Sequence, residues 1–129
     1  MIFVPKSIIS MIVKENQSIG ALQNRFREEY PFLKIEFFKY PFVEENSRNS
    51  NFLLHPDQVI KDIRTIEGKS EFYINSDTSV QVVQQLFEEF FGLHVMIFRK
   101  AHDVWMSTTV TNYLTISMQN HKGAQTQAA

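Results

Sequence analysis

The chain has 129 residues, a size at which a single domain buries about two-thirds of its unfolded surface. It contains no cysteine, which excludes disulfides, thiolate metal sites and thiol nucleophiles and fits a reducing, cytoplasmic compartment. The net charge of −1 argues against general nucleic-acid binding, because that binding depends on a basic excess. No apolar run approaches the roughly 18 residues of a transmembrane helix, and the N-terminus lacks the pattern of a signal peptide, so we expect no membrane attachment.

The first forty residues predict a strand, a helix and a second strand. Residues 7–13 are apolar and largely β-branched, which is typical of a strand. Ser18 stands where a helix N-cap belongs, and the apolar residues behind it recur at three- and four-residue steps until Pro31. Residues 33–39 alternate apolar and polar side chains, which predicts a strand with one buried face.

The middle of the chain predicts a loop and an inserted helix. Residues 41–52 are rich in Asn and Ser and predict an exposed, mobile loop. A helix is predicted over 56–66, with Pro56 near its start and Gly68 beyond its end. His55, Pro56 and Asp57 match the core of the J-domain motif, but no basic helix precedes them. A helix start with Asp57 near the positive end of the dipole explains them better.

The second half repeats the order of the first and then adds a hairpin. We expect a strand over 71–75, a cap region in which Thr78 and Gln81 have capping-box spacing, and a helix that ends at Gly92. A strand over 93–100 then leads through a short turn into a hairpin strand over 104–110. Residues 112–120 fit either a strand or a short helix capped by Thr115. We expect one domain over 1–120 and a disordered tail over 121–129.

An internal similarity supports this order. A shift of 61 positions aligns Ser18 with Ser79 and Gln23 with Gln84. The similarity predicts a duplicated unit, although any two capped amphipathic helices that lead into strands look alike. Two strand–helix–strand units in one sheet predict an α+β, ferredoxin-like fold with an inserted helix and an extra C-terminal hairpin strand.

Strand alternation predicts a candidate binding face. If Leu33, Ile35, Phe37, Leu93, Val95 and Ile97 face the helices, and Val104, Met106 and Val110 also point inward, the opposite face carries four large apolar side chains. These candidate binding residues are Phe38, Met96, Phe98 and Trp105. An exposed apolar patch of this size marks an interface. The alternatives are that the chain covers the face itself or that the face forms a ligand groove.

Other candidate sites have ordinary structural explanations. The four histidines show no ligand spacing, so no metal site is predicted. The carboxylate pairs at 28–29 and 88–89 lie on helix faces that we expect to be solvated. Residues 107–109 lack a nucleophile elbow, and the scattered glycines form no phosphate-binding loop. We therefore predict no catalytic residue and no cofactor.

The leading functional prediction is a non-enzymatic binding domain that uses its aromatic sheet face to bind a protein partner or to form a homodimer. Single-stranded nucleic-acid binding is the alternative, because Phe38-Lys39 and Phe98-Arg99 pair aromatic with basic residues. Glu36 in the middle of the face and the missing Arg/Lys-Gly-Phe string argue against that alternative. A small-molecule enzyme with an unrecognised site is the third hypothesis.

Three segments carry a resemblance to a known family. Residues 30–38, 91–100 and 104–109 resemble a family of small uncharacterised bacterial proteins, and the resemblance spans most of residues 10–120. It implies a single compact domain in a bacterial cytoplasm. The family has no assigned activity, so the resemblance implies no site residue.

Overall fold

The computed structural model describes residues 10–42 and 52–128. The elements in these ranges are β1 (Ser10–Lys14), α1 (Ile19–Glu29), β2 (Leu33–Phe38), α2 (Ile60–Ile63), β3 (Glu71–Asn75), α3 (Val80–Phe91), β4 (His94–Ala101), β5 (Val104–Ser107) and α4 (Ile116–Ala128). The start of the strand predicted over 7–13 and most of the loop predicted over 41–52 lie outside the described residues. Among the helices within them, none combines the length and the apolar character that crossing a bilayer requires.

The described strands form two antiparallel sheets. β1 pairs with β3, and a second sheet has the order β2–β4–β5. The predicted α+β class is confirmed. The ferredoxin-like arrangement is not confirmed, because β1 and β2, which that arrangement places in one sheet, lie in different sheets. Each of the helices α1 and α3 instead connects a strand of one sheet to a strand of the other.

The predicted start of α1 is confirmed in atomic detail. Ser18 Oγ accepts a hydrogen bond from the backbone N–H of Ala21 at 3.1 Å. In the second half, the predicted capping box is wrong in register by one residue. Ser79 caps α3 by accepting from the N–H of Val82 at 3.2 Å, while Thr78 Oγ1 accepts from the N–H of Asn75 at the end of β3.

A short stretch of chain lies across the N-terminus of α1, and another lies across the N-terminus of α3. The stretch at α1 explains why α2 is shorter than predicted. The carbonyl oxygens of Pro56 and Gln58 accept hydrogen bonds from the first N–H groups of α1, at 2.9 Å each. These two carbonyls point toward α1 and not along a helix of their own, and α2 starts only at Ile60. The second half has the equivalent bonds, from Val80 N–H to Leu114 O and from Gln81 N–H to Asn112 O.

The C-terminal segment is helical, whereas the sequence predicts a disordered tail from residue 121. Thr115 Oγ1 accepts from the N–H of Met118 at 3.1 Å, so the helical alternative for residues 112–120 is correct. The helix docks because Gly123 has no side chain: a Cβ there would lie 2.7 Å from Phe32 Cβ. Asn120 Oδ1 fixes the same contact by accepting from the N–H of Phe32 at 2.9 Å.

One hydrophobic core joins both sheets and the helices. The predicted inward parity of the second sheet is confirmed, because the six predicted positions are all buried: Leu33, Ile35, Phe37, Leu93, Val95 and Ile97. Phe87 on α3 packs edge-on against Phe37 of β2 and Phe72 of β3, with ring centroids 5.2 and 4.9 Å away. A single α3 side chain therefore contacts strands of both sheets.

Tyr30 ends α1 inside this core, and its hydroxyl has no hydrogen-bond partner among the described residues. Burial raises the pKa of Tyr30 to about 12, and the negative charge of Glu29 acts in the same direction. The aligned residue of the second half, Phe91, fills the corresponding position without a hydroxyl.

We expect Tyr30→Phe to raise the free energy of unfolding by about 1 kcal/mol at neutral pH, because it removes a buried, unpartnered hydroxyl. The folded-state pKa of about 12 lies above the ordinary value of 10.0. Because the folded chain favours the neutral phenol more than the unfolded chain does, the free energy of unfolding of the wild type falls as the pH rises from about 10 toward 12, and that of Tyr30→Phe lacks this fall. Urea unfolding at neutral and alkaline pH measures both effects. A variant that is less stable than wild type at neutral pH would show that the hydroxyl does have a partner.

Candidate functional site

The four predicted binding residues lie on the face of the β2–β4–β5 sheet that points away from the core. Directly opposed residues of antiparallel strands share a face, and Trp105 is opposed to Lys100. The parity predicted for Trp105 is therefore correct. The predicted burial of Val104, Met106 and Val110 is wrong: all three are exposed. β5 is the edge strand of its sheet.

The chain itself covers half of the predicted face. Phe38 and Met96 are only 4% and 1% exposed. The ring of Phe42 packs over Phe38 with centroids 5.1 Å apart. Met96 Sδ accepts from Gln84 Nε2 at 3.7 Å and from Thr109 Oγ1 at 3.8 Å. Phe38 and Met96 are thus covered by the chain itself and offer almost no contact area to a partner.

The other half of the face is a half-buried aromatic pair with three cations around it. Arg27 Cζ lies 5.1 Å from the centroid of the Trp105 ring, and Lys34 Nζ and Lys100 Nζ lie 5.2 and 5.7 Å from it. Lys34 Nζ is also 5.4 Å from the ring centroid of Phe98. All of these distances fit cation–π attraction. We call these five residues the Trp105 cluster.

The cluster has an excess of positive charge. Among the described residues, the carboxylate within 4.0 Å of these three cations is that of Glu36, which is 3.7 Å from Lys34. Arg25, two residues earlier on α1, shows the contrast, because it forms a 2.5 Å ion pair with Glu29. The cluster is therefore suited to binding negative charge. Sequence reasoning missed Arg27, since its helical position predicts only a solvated side chain.

A groove runs beside the cluster, between α1, β2 and the segment 53–56. Its volume is about 770 Å³, within the range of about 300–1,000 Å³ that binding clefts occupy. Arg27 and Lys34 line the groove as well as the Trp105 cluster, so the two features adjoin. The apolar part of the lining is Ile35, Leu53, Leu54 and Pro56. No sequence signal predicts this groove, because it forms between segments far apart in the chain.

The histidines and the paired carboxylates make local contacts within the described ranges. No three side chains of His, Asp or Glu there are close enough together to bind a metal ion. Glu28 is exposed, and Glu29 forms an ion pair with Arg25. His94 Nδ1 lies 3.5 Å from Glu88, while His55 Nδ1 accepts from the N–H of Asp57 at 3.2 Å, a local turn contact.

Comparisons with known proteins add no family to this description. A scan against protein-family models finds no match to the chain, and searches of curated proteins and of solved structures find none either.

Proposed function

We propose that this chain is a non-enzymatic binding domain whose Trp105 cluster holds an acidic segment of a protein partner. The observation that carries the proposal is the placement of three cations around one half-buried tryptophan, where Glu36 is the carboxylate within 4.0 Å of them in the part of the chain that the structure describes. A partner carboxylate would approach cations that their contact with the ring already orients, so less side-chain entropy is lost on binding.

The arrangement supports a carboxylate-bearing partner more than a stacked base. Single-stranded nucleic-acid binders stack bases on free aromatic faces. Here three cations already lie close to the Trp105 ring, and Phe98 contacts both Lys34 and the ring of Phe42, at 5.4 and 5.8 Å. A base would have to displace these groups, whereas a carboxylate binds the cations where they are.

Trp105 is the only tryptophan of the chain, so its fluorescence reports directly on the cluster. We expect a synthetic peptide of alternating Asp and Ser to change this fluorescence saturably at low salt, with affinity that falls as salt rises. Lys34→Gln and Arg27→Gln are each expected to weaken binding about three- to tenfold, which corresponds to about 0.7–1.4 kcal/mol.

Lys39→Gln is the matched control, because Lys39 also contacts an aromatic ring, that of Tyr40, at 5.7 Å, but lies outside the cluster. Equal weakening by Lys39→Gln would mean that only the overall charge matters, and the site would be lost. Oligothymidylate is the second probe. If it binds more tightly than the acidic peptide at the same salt concentration, the partner is single-stranded nucleic acid and the proposal of a protein partner is wrong.

A second copy of the chain is the other protein partner that the sequence predicts. Sedimentation analysis of the wild type and of Trp105→Ala distinguishes this case, because a dimer held through the cluster would dissociate in the variant while each chain stays folded. The resemblance of residues 30–38, 91–100 and 104–109 to small bacterial proteins supports a bacterial, cytoplasmic origin, which stays a prediction.

We also propose that the two strand–helix–strand segments descend from one duplicated unit. Gln23 Nε2 donates to the carbonyl of Ile35 at 3.0 Å, and Gln84 Nε2 donates to that of Val95 at 3.2 Å. These equivalent bonds, together with the equivalent serine caps, are more than two generic amphipathic helices require. They support a common ancestor for the two halves.

A further inference from the structure

We infer that the groove beside α1 receives an apolar side chain of the same acidic segment, so that the recognised sequence places an acidic residue next to a large aliphatic one. This inference rests on the proposed function of the Trp105 cluster. It specifies which protein segments the cluster would select.

The apolar part of the groove can accept such a side chain. Leu53 is 46% exposed and lines the groove, so its side chain is open to a partner. It is held in place by a short antiparallel bridge to Phe38, and the next residue, Leu54, donates its N–H to the carbonyl of Phe37 at 2.8 Å. Leu53 is therefore a fixed apolar surface on one wall of the groove.

The charges at the groove set the order of the partner's residues. Arg27 and Lys34 lie at the junction with the Trp105 cluster, whereas Glu28 and Glu36 also line the groove. A partner carboxylate is attracted to the junction and repelled by those glutamates. The residue that enters beyond the junction is therefore uncharged, and the exposed side chain of Leu53 favours an aliphatic one.

The partner is held by side chains and not by adding a strand to β2. Strand addition needs the free backbone groups of a sheet edge. At this edge the carbonyl of Ile35 already accepts from Gln23 Nε2, which also donates to Glu36 Oε2 at 3.2 Å. Gln23 thus blocks this edge of β2 for strand addition. The groove and the cations therefore determine which partner binds.

The corresponding place in the second half is built differently. The residues aligned with Arg27, Lys34 and Glu36 are Glu88, His94 and Met96. Met96 is buried there, and Glu88 lies 3.5 Å from His94. The framework bonds of Gln23 and Gln84 are the same in both halves, but only the first half combines two cations with an exposed leucine. The groove is therefore a feature of these side chains and not a by-product of the framework.

The test uses two synthetic peptides, one of alternating Asp and Leu and one of alternating Asp and Ser, titrated into the full chain and followed by Trp105 fluorescence. We expect the Asp-Leu peptide to bind about tenfold more tightly, as one partly buried leucine allows. Leu53→Ser should remove that advantage and leave the Asp-Ser peptide within about twofold of its original affinity. Ile66→Ser is the matched control, because Ile66 is 43% exposed and does not line the groove.

The possible results distinguish a failure of the groove proposal from a failure of the proposed function. If neither peptide binds, the proposed function fails. If both bind equally well, or if Leu53→Ser and Ile66→Ser have the same effect, the acidic site stands and the apolar groove is overturned. Circular dichroism of each variant shows whether it is folded; should Leu53→Ser unfold, Leu53→Met tests the same wall, with a smaller loss of the advantage expected.

Discussion

Replacement of Arg64 by Ala is expected to lower the free energy of unfolding by about 3–5 kcal/mol, because it removes several charge-assisted hydrogen bonds that are worth about 1.5–3 kcal/mol each. The Arg64 side chain is only 5% exposed and forms an ion pair with Glu15 in the turn after β1. Its guanidinium also donates to three carbonyl oxygens, those of Ile66 at 2.8 Å, Phe90 at 2.9 Å and Lys69 at 3.1 Å. The alanine variant would leave all of these acceptors without their donor.

The geometry of the guanidinium makes this effect specific to arginine. Arg64 Cζ lies 4.9 Å from the ring centroid of Phe91, so the planar group contacts the end of α3 while its edge donates to the loop carbonyls. A lysine has a single ammonium and cannot satisfy these directions together. We therefore expect Arg64→Lys to recover less than half of the loss, in urea unfolding with the slope unchanged.

Arg25→Ala is the matched control for Arg64, since Arg25 also forms a close ion pair, with Glu29, but its side chain is 46% exposed. We expect that substitution to cost at most about 0.5 kcal/mol, as exposed helical pairs do. Similar costs for the two alanine variants would show that burial of Arg64 adds nothing, and would contradict the role described for it.

Local patterns in the sequence predicted the elements whose cause is local. Ser18 caps α1 because its side chain reaches an N–H three residues later, and Gly92 ends α3 because its φ of 68° favours glycine. The alternation of residues 33–37 predicted which side chains face the core, since neighbouring side chains on a strand point in opposite directions. These predictions needed no knowledge of the partner strands.

Features that depend on distant partners were not predictable from the same patterns. No local signal tells β1 to pair with β3 and not with β2. The tail after residue 120 is polar and looks disordered, yet Gly123 lets α4 approach Phe32 across about ninety positions of sequence. The sequence pattern around Arg64 predicts only the end of a helix, and nothing near it indicates its contacts with Glu15 and with the carbonyl of Phe90.

The candidate site also combines features that local patterns predict with features that only tertiary contacts determine. Strand parity placed Trp105 and Phe98 on the correct face, but it could not show that Phe42 returns over Phe38. Arg27 is exposed on a helix surface, and only the tertiary contact with Trp105 distinguishes it from Arg25. The chemical role of a surface cation therefore depends on its tertiary contacts, and a helical pattern in the sequence does not reveal these contacts.

Replacement of Phe87 by Ala is the other substitution expected to cost about 3–5 kcal/mol, the range for a fully buried phenylalanine. Phe87 is 0% exposed, and its ring contacts Phe37 in the second sheet and Phe72 in the first. Small domains have a total stability of about 5–15 kcal/mol, so this one cavity would remove a large share of it.

The position of Phe87 between the sheets also predicts how the variant unfolds. Because one ring joins both sheets, the sheets should still unfold together, with a lower urea midpoint and the slope of the wild type. Phe90→Ala is the matched control: Phe90 is half-buried and contacts Phe72 at 5.0 Å, so its loss should cost about half as much. If the two substitutions cost the same, or if Phe87→Ala gives two separate transitions, Phe87 does not couple the sheets, and the core is two packing units that meet at α3.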